Sequence, residues 1–430
     1  MRRSLRKDSQ AGSFLPPTLL VLALSACGAG TSLGRTTASG QSPAGVNGST
    51  GREVLIKLEP GASLAPTLAS LAQAGVQHLH PIPGPLGKMG WWQGQAGSLQ
   101  FLQTKGRMPG VSHVARNGIR TADDPPARLF APFRQLEGGD TLAGEQYALG
   151  LLGTERAHGV TLGSRATRLA IVDSGLDAGH PEFRTPDGAP RLEGWVDYVN
   201  LGDRPVDGYG HGTHCAGLAA ATAGNAEGIV GQAPGVALLA ARVLDDRGVG
   251  SDAGVAAGIC WAVDHGAKVI NLSLGGPDSA SVLDDALEYA ARRDVLVVAA
   301  MGNAATDRPW YPAAHPAVMA VAATDQEDRP APYGNRGSWC SLAAPGEAML
   351  STLPWSGSRL GKRYGVVSGT SMAAPLVAGV AALVRERHPG WTAAQVRRHL
   401  ESTARDVGPI GRDERTGAGR LDAAAALVHP

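Results

Sequence analysis

Arg168-Leu169-Ala170-Ile171-Val172-Asp173-Ser174-Gly175 is the stretch on which the fold turns. Its apolar positions show little polar alternation, so it reads as a strand buried on both faces, closed by an acid and a glycine turn. Ala237 to Leu244, Lys268 to Leu274, Val295 to Ala300 and Val318 to Ala323 read the same way. From Glu145 onward, Ala/Gly-rich helical stretches separate these runs. Doubly buried strands alternating with helices predict an α/β fold, a mostly parallel sheet covered on each side. Sites in such sheets form at the carboxyl ends of strands, and the candidate residues below fall at strand ends or helix starts. No internal repeat is visible.

Composition agrees. A length of 430 residues is ample for a large core, and 43% hydrophobic residues make the chain globular rather than disordered. A formal net charge of +1 gives no electrostatic case for nucleic acid. The 59 glycines suit many tight turns, and four cysteines are too few for a disulfide scaffold. No apolar run reaches the ~20 residues of a membrane span.

The N-terminus reads as an address. Arg2, Arg3, Arg6 and Lys7 precede a short apolar stretch, Phe14 to Leu24, which ends in Leu24-Ser25-Ala26-Cys27. A basic segment followed by a short apolar one predicts an export signal. The small residues before Cys27 resemble the bacterial lipoprotein signal, which implies a signal peptide over 1–26 and lipid on Cys27; the alternative is an ordinary secretory signal. Residues 27–51 are Gly/Ser/Thr-rich and predict a flexible tether.

A small domain is expected over 52–122. Val54 to Leu58 reads as a strand, Ser63 to Ala74 as a helix stopped by Gly75, Ser98 to Lys105 as a second helix, and Val111 to Ile119 as a half-buried strand. This layout predicts a ferredoxin-like α+β unit. Residues 123–144, punctuated by Pro and Gly, read as a linker.

Three short motifs carry the chemistry. Asp173 ends the first strand, where it can accept a hydrogen bond from an imidazole. His211-Gly212-Thr213-His214-Cys215-Ala216-Gly217 opens a helix at His211. Ser368-Gly369-Thr370-Ser371-Met372-Ala373-Ala374-Pro375 is a loop entering a helix, so Ser371 sits where backbone N–H groups stabilise developing negative charge. The order is Asp, His, Ser, at separations of 38 and 160 residues. Together these motifs resemble the subtilisin-like serine proteases, over the chain from about Glu145 to its end.

The resemblance implies a three-layer subtilisin-like domain over 145–430 and an endopeptidase acting through an acyl-enzyme. Ser371 would be the nucleophile, His211 the base and then acid, and Asp173 the group that fixes the imidazole. Val298-Ala299-Ala300-Met301-Gly302-Asn303 matches the family's oxyanion segment, implying Asn303 as donor beside the Ser371 N–H. Ser273-Leu274-Gly275-Gly276 and Gly248-Val249-Gly250 would flank a substrate strand. Trp310, before Tyr311-Pro312, falls at the floor of the pocket for the substrate side chain before the cut; inward it makes the pocket shallow, outward it leaves it open.

The small domain then resembles an inhibitory propeptide, the alternative being an independent ligand-binding module. The chain would be a monomeric zymogen that is its own inhibitor, with a processing site in the linker. Its precursor would be lipid-anchored at the cell envelope and its mature enzyme extracellular. No cofactor is required for the chemistry. Relatives bind structural calcium at places occupied here by Glu182 and Asn225, where a polar surface loop is the other reading. His211, His214 and Cys215 lack the further partners of a zinc site; His214 is expected to support the helix start. Cys215 resembles the buried thiol of the proteinase K branch, and Cys260 and Cys340 default to free thiols. Two rivals remain. A non-catalytic peptide-binding protein would lack a triad or oxyanion residue, and none is missing. An α/β-hydrolase esterase needs Gly-x-Ser-x-Gly and the order Ser, Asp, His, and the chain has neither.

Overall fold

The computed structural model describes residues 53–97, 108–122, 140–200 and 206–428. The signal, Cys27, the tether, the helix expected over Ser98–Lys105 and residues 123–139 of the linker lie outside the described residues.

The small domain runs β1 (Glu53–Leu58), α1 (Leu64–Gln73), β2 (Val76–Pro81), the single turn α2 (Pro85–Lys88), β3 (Trp91–Ala96) and β4 (Val111–Arg116). Its strands pair antiparallel in the order β2-β3-β1-β4, the order of a ferredoxin-like sheet. The alternation of β1 explains how this sheet is covered, because successive side chains point to opposite faces. Val54, Ile56 and Leu58 pack with Leu71 of α1. Leu55 faces the other way and joins Ile82, Leu86 and Trp91 in a cluster shared with helices of the large domain.

One expectation needs correction. Val111 to Ile119 is not one strand: β4 stops at Arg116, and a separate strand, β5 (Ile119–Ala122), pairs with the large domain instead. The break lies at Asn117-Gly118. Asn117 Oδ1 accepts the Ala253 N–H at 3.1 Å, and the Gly118 N–H donates to Asp252 Oδ2 at 3.0 Å. A side chain at Gly118 would place its Cβ only 2.4 Å from that carboxylate oxygen.

The large domain opens with helices α3 (Tyr147–Leu152) and α4 (Thr154–His158). Then follow β6 (Arg168–Asp173), β7 (Leu192–Asp197), α5 (His211–Ala220), β8 (Ala237–Arg242), β9 (Val249–Ser251) and α6 (Asp252–Asp264). Next come β10 (Val269–Leu272), β11 (Leu274–Gly275), α7 (Ser281–Arg292), β12 (Leu296–Ala300), β13 (Val318–Thr324) and β14 (Cys340–Pro345). The hairpin β15 (Met349–Ser358) and β16 (Gly361–Val367) leads into α8 (Thr370–Arg387), α9 (Ala393–Ser402) and α10 (Ala423–Val428).

Among the described residues seven strands form one sheet, in the order β14-β13-β12-β10-β6-β8-β7, with every neighbouring pair parallel. Both faces are covered, as expected from the doubly buried strands. Leu169 and Ile171 of β6 pack with α5 and α8, whereas Ala170 and Val172 pack with α6 and α7. The late helix α9 opens with a capping box, Thr392 with Gln395. No helix of the described residues is long and apolar enough to cross a membrane.

Candidate active site

The carboxyl end of β6 and the first turns of α5 and α8 bring the three motifs together. His211 is the first residue of α5, and its Nδ1 lies 2.8 Å from Asp173 Oδ1, both side chains fully buried. The same carboxylate oxygen accepts the Ser174 N–H at 2.7 Å. This close approach of α5 to β6 requires glycine at 212, where a Cβ would lie 2.1 Å from the Gly175 carbonyl oxygen. Ser371 is the second residue of α8, entered from Gly369 at φ 149°. Cys215 Sγ sits between the two motifs, 3.8 Å from His211 Nδ1 and donating to the Ser371 carbonyl at 3.5 Å. On the other side Ser273 Oγ donates to that same carbonyl at 2.7 Å and accepts from Asn271 Nδ2 at 3.0 Å.

Asn303 follows Gly302 in the turn after β12. Its Oδ1 accepts from the Thr370 N–H at 3.0 Å and from Thr370 Oγ1 at 3.1 Å. With the oxygen committed to Thr370, the carboxamide directs its NH2 to the opposite side. Gly302 donates its N–H to Thr370 Oγ1 at 3.0 Å, so Thr370 locks the whole turn.

Asp207 was not read from the sequence. It is buried and accepts four hydrogen bonds, from the Gly210 N–H, the Thr213 N–H, Thr213 Oγ1 and Ser174 Oγ. Ser174 Oγ in turn accepts the Gly212 N–H at 3.0 Å. Burial pushes the Asp207 carboxyl up, and these hydrogen bonds oppose the shift. The network ties the start of α5 to the end of β6, which fixes where His211 stands. An acid shortly ahead of a glycine and a helix start was the available signal.

A further strand lies near the Ser371 backbone, next to the β11 segment that Ser273 precedes. β5 lies between β11 and β9, antiparallel to both. Leu274 and Gly275 face Ala122 and Thr121, while Val249, Gly250 and Ser251 face Thr121, Arg120 and Ile119. The Ala122 N–H donates to the Gly248 carbonyl at 2.9 Å. Trp310 turns inward. A Cβ on Gly275 would be 2.4 Å from its Nε1, and one on Gly302 2.7 Å from its Cδ1, so the indole fills the slot between β11 and the Gly302 turn.

His214 lies in the first turn of α5, and the partners of its hydrogen bonds are on the hairpin. Its Nε2 donates to the carbonyls of Met349 and Gly365, both at 3.1 Å, and so ties the start of α5 to β15 and β16. Burial, then the neighbouring His211, lowers its pKa to about 3. Asp173, His211 and Cys215 gather within 4.8 Å of one another, but these are the residues of the motifs themselves. Burial raises the Cys215 thiol pKa and pushes those of Cys260 and Cys340 up to about 12; all three are free.

Glu182 and Asn225 do meet, in an arrangement that does not fit calcium. Glu182 Oε1 accepts the Ile229 N–H at 2.6 Å and the Tyr364 hydroxyl at 3.1 Å, and Oε2 accepts from Asn225 Nδ2 at 3.1 Å. Asn225 Oδ1 is turned away, toward the Glu227 N–H. Nearby carbonyl oxygens of Glu182, Ala220 and Val236 receive the Arg191 guanidinium. Calcium calls for six to eight oxygens; this carboxylate is met by donors.

Comparison with known proteins agrees with the geometry. The subtilase family model matches residues 164–419, more than half the chain. The chain is 43% identical to thermitase of Thermoactinomyces vulgaris over 266 residues, covering 62% of this chain and 90% of that protein. It is 39% identical to subtilisin Savinase of Lederbergia lenta, covering 63% and 94%. Among solved structures, fervidolysin from Fervidobacterium pennivorans, a keratinolytic enzyme related to subtilisin, superposes with a TM-score of 0.73 at 26% identity. That superposition covers 89% of this chain, more than the region from Glu145 onward can supply, and 61% of fervidolysin. The chain belongs to the subtilase family of serine endopeptidases.

Proposed function

We propose that this chain is an exported, self-processing zymogen whose triad Asp173-His211-Ser371 cleaves protein substrates through an acyl-enzyme. The observation that carries the reading is β5, a peptide strand of the chain itself, seated between β9 and β11 beside the Ser371 backbone.

The Asp173 carboxylate at 2.8 Å holds the imidazole proton on Nδ1, which makes Nε2 the basic nitrogen. His211 takes the Ser371 hydroxyl proton as Oγ attacks the scissile carbonyl. The oxyanion that forms is met by the Asn303 NH2 and the Ser371 N–H at the start of α8. His211 then gives its proton to the leaving amine, and the C–N bond breaks. Water repeats the sequence on the acyl-enzyme, releasing the acid and restoring Ser371. Trp310 in its slot favours small substrate side chains next to the cut. In the intact chain β5 occupies the place of substrate, and the small domain acts as inhibitor until the linker, residues 123–144, is cut in cis. With lipid on Cys27, the cut separates the catalytic domain from its anchor. Catalytic domain that stays with membranes after salt washing would count against this last point.

The test expresses the exported form beside Ser371→Ala and follows intact mass and casein hydrolysis. The parent shortens to a species starting between Asp123 and Leu151 and cleaves casein, while Ser371→Ala stays long and inert. Maturation of the variant on its own would assign processing to another protease. Two long, inactive proteins would favour a peptide-binding role.

A further inference from the structure

The middle of β5 carries an unusual side chain for a covered strand. Arg120 is 1% exposed, one of the largest fully buried side chains of the chain. Its Nε lies 2.7 Å from Asp252 Oδ1, with both side chains at most 4% exposed. Its Nη2 donates to the Asp278 carbonyl at 2.7 Å. Its Nη1 lies against bare backbone at Gly276, where an added Cβ would sit 2.5 Å away. Three elements of the catalytic domain therefore meet around one guanidinium: the start of α6, the end of β11 and the loop that follows it.

These groups remain when β5 leaves. Asp252, in the first turn of α6, then loses both the Arg120 guanidinium and the Gly118 N–H from its carboxylate. Burial is the largest influence on its carboxyl and pushes the pKa up, and the Arg120 charge opposes that. A buried carboxylate facing a neutral side chain keeps its desolvation cost without compensation, whereas a cation offsets it. The same reasoning disfavours an acidic substrate side chain.

We propose that Asp252 is a specificity-determining residue, forming with the Asp278 carbonyl and Gly276 a subsite for an arginine or lysine side chain of the substrate. The position follows from the register. Ala122 faces Leu274, so a substrate strand in the place of β5 reaches Ser273, and with it Ser371, one residue further on. Counting that residue as the first upstream of the cut, the place of Arg120 is the fourth. The enzyme thus reads two features at once, a small side chain beside Trp310 and a cationic one at Asp252. The inference rests on the endopeptidase reading above and deepens it.

The experiment uses the full chain, allowed to mature, and a quenched peptide taken from a casein site that it cleaves. The peptide is remade with Arg, citrulline or Glu at the fourth residue upstream of the cut. Citrulline keeps the shape of arginine and removes its charge. The expected result is a kcat/KM for Arg at least about tenfold above citrulline, with Glu lowest. In Asp252→Asn the Arg and citrulline peptides fall within about twofold of each other. Because the first comparison needs no variant, a folding defect in Asp252→Asn would not obscure it. Equal rates for Arg and citrulline in the parent, with casein still cleaved, would overturn the subsite while leaving the endopeptidase intact. Absence of any hydrolysis would overturn both.

Discussion

The two largest sheets among the described residues are covered in different ways. The seven-stranded sheet of the large domain is enclosed by its own helices, with alternate residues of β6 shared between two layers. The four-stranded sheet has one face on α1 and leans with the other on helices of its neighbour, through Leu55, Ile82, Leu86 and Trp91. Four such side chains contribute about 1.5–3 kcal/mol each. That sum holds a tethered domain well, and it is comparable with the ~4–15 kcal/mol entropic cost of keeping two separate molecules together. The proposed cut in the linker would therefore change how firmly the small domain is held while leaving these four side chains in place. One domain is complete alone; the other is completed by its host.

Perturbations confined to the large domain sharpen that contrast. The largest expected effect is from Asn303→Leu, which removes the proposed oxyanion donor while Thr370 remains in place. Its kcat should fall about 10²–10³-fold with KM little changed, a magnitude known from a subtilisin, a relative of this chain. Next is Trp310→Ala, which empties the slot between β11 and Gly302. The ratio of kcat/KM for Phe over Ala next to the cut should rise by about 10–200-fold, read on paired peptides. Acid gives a third probe. His214, with a pKa lowered to about 3, and His180, lowered to about 4 by burial, are neutral in the folded chain near pH 5. The unfolded chain binds those protons from about pH 6.5 downward, so stability is present above that pH and is lost as pH falls toward 4. The slope is about 1.4 kcal/mol per pH unit for each histidine. Melting temperature against pH should show this limb, and His214→Asn should flatten it.

The smallest effect falls on the join itself. Asp285 of α7 accepts both Lys57 Nζ and Trp91 Nε1 at 2.6 Å. The pair is partly exposed, so solvent screens it. Asp285→Ala in the Ser371→Ala background should loosen the small domain by about 1 kcal/mol, seen as an earlier first melting transition with the second unmoved. A shift of both transitions together would mean that the two domains unfold as one and that the contrast is wrong.

Much of this was legible in the sequence because it is local. The five doubly buried strands announce themselves by apolar runs with little polar alternation, and the motif residues sit at strand ends or helix starts. What was missed is missed for physical reasons. β2 turns Gln77, His78, His80 and Pro81 to solvent, so no apolar alternation marks it. The edge strands β7 and β14 carry mixed runs, Leu-Glu-Gly-Trp-Val-Asp and Cys-Ser-Leu-Ala-Ala-Pro, that no periodicity singles out. Asn117-Gly118 is a turn signal inside an alternating run, but only the docked helix α6 shows where the chain goes next. Asp252 and Arg120 act through partners distant in sequence, and Asp207 joins its local partners Gly210 and Thr213 to the distant Ser174. The orientation of Trp310 depends on two glycines on separate elements.

Hydrogen exchange on the unprocessed Ser371→Ala chain tests most directly the claim that the intact molecule occupies its own cleft. The amides of Ile119–Ala122 should exchange as slowly as those of Val249–Ser251 and Leu274–Gly275, the strands on either side. Exchange of that segment at the rate of an unstructured peptide, with its two neighbours protected, would contradict the account.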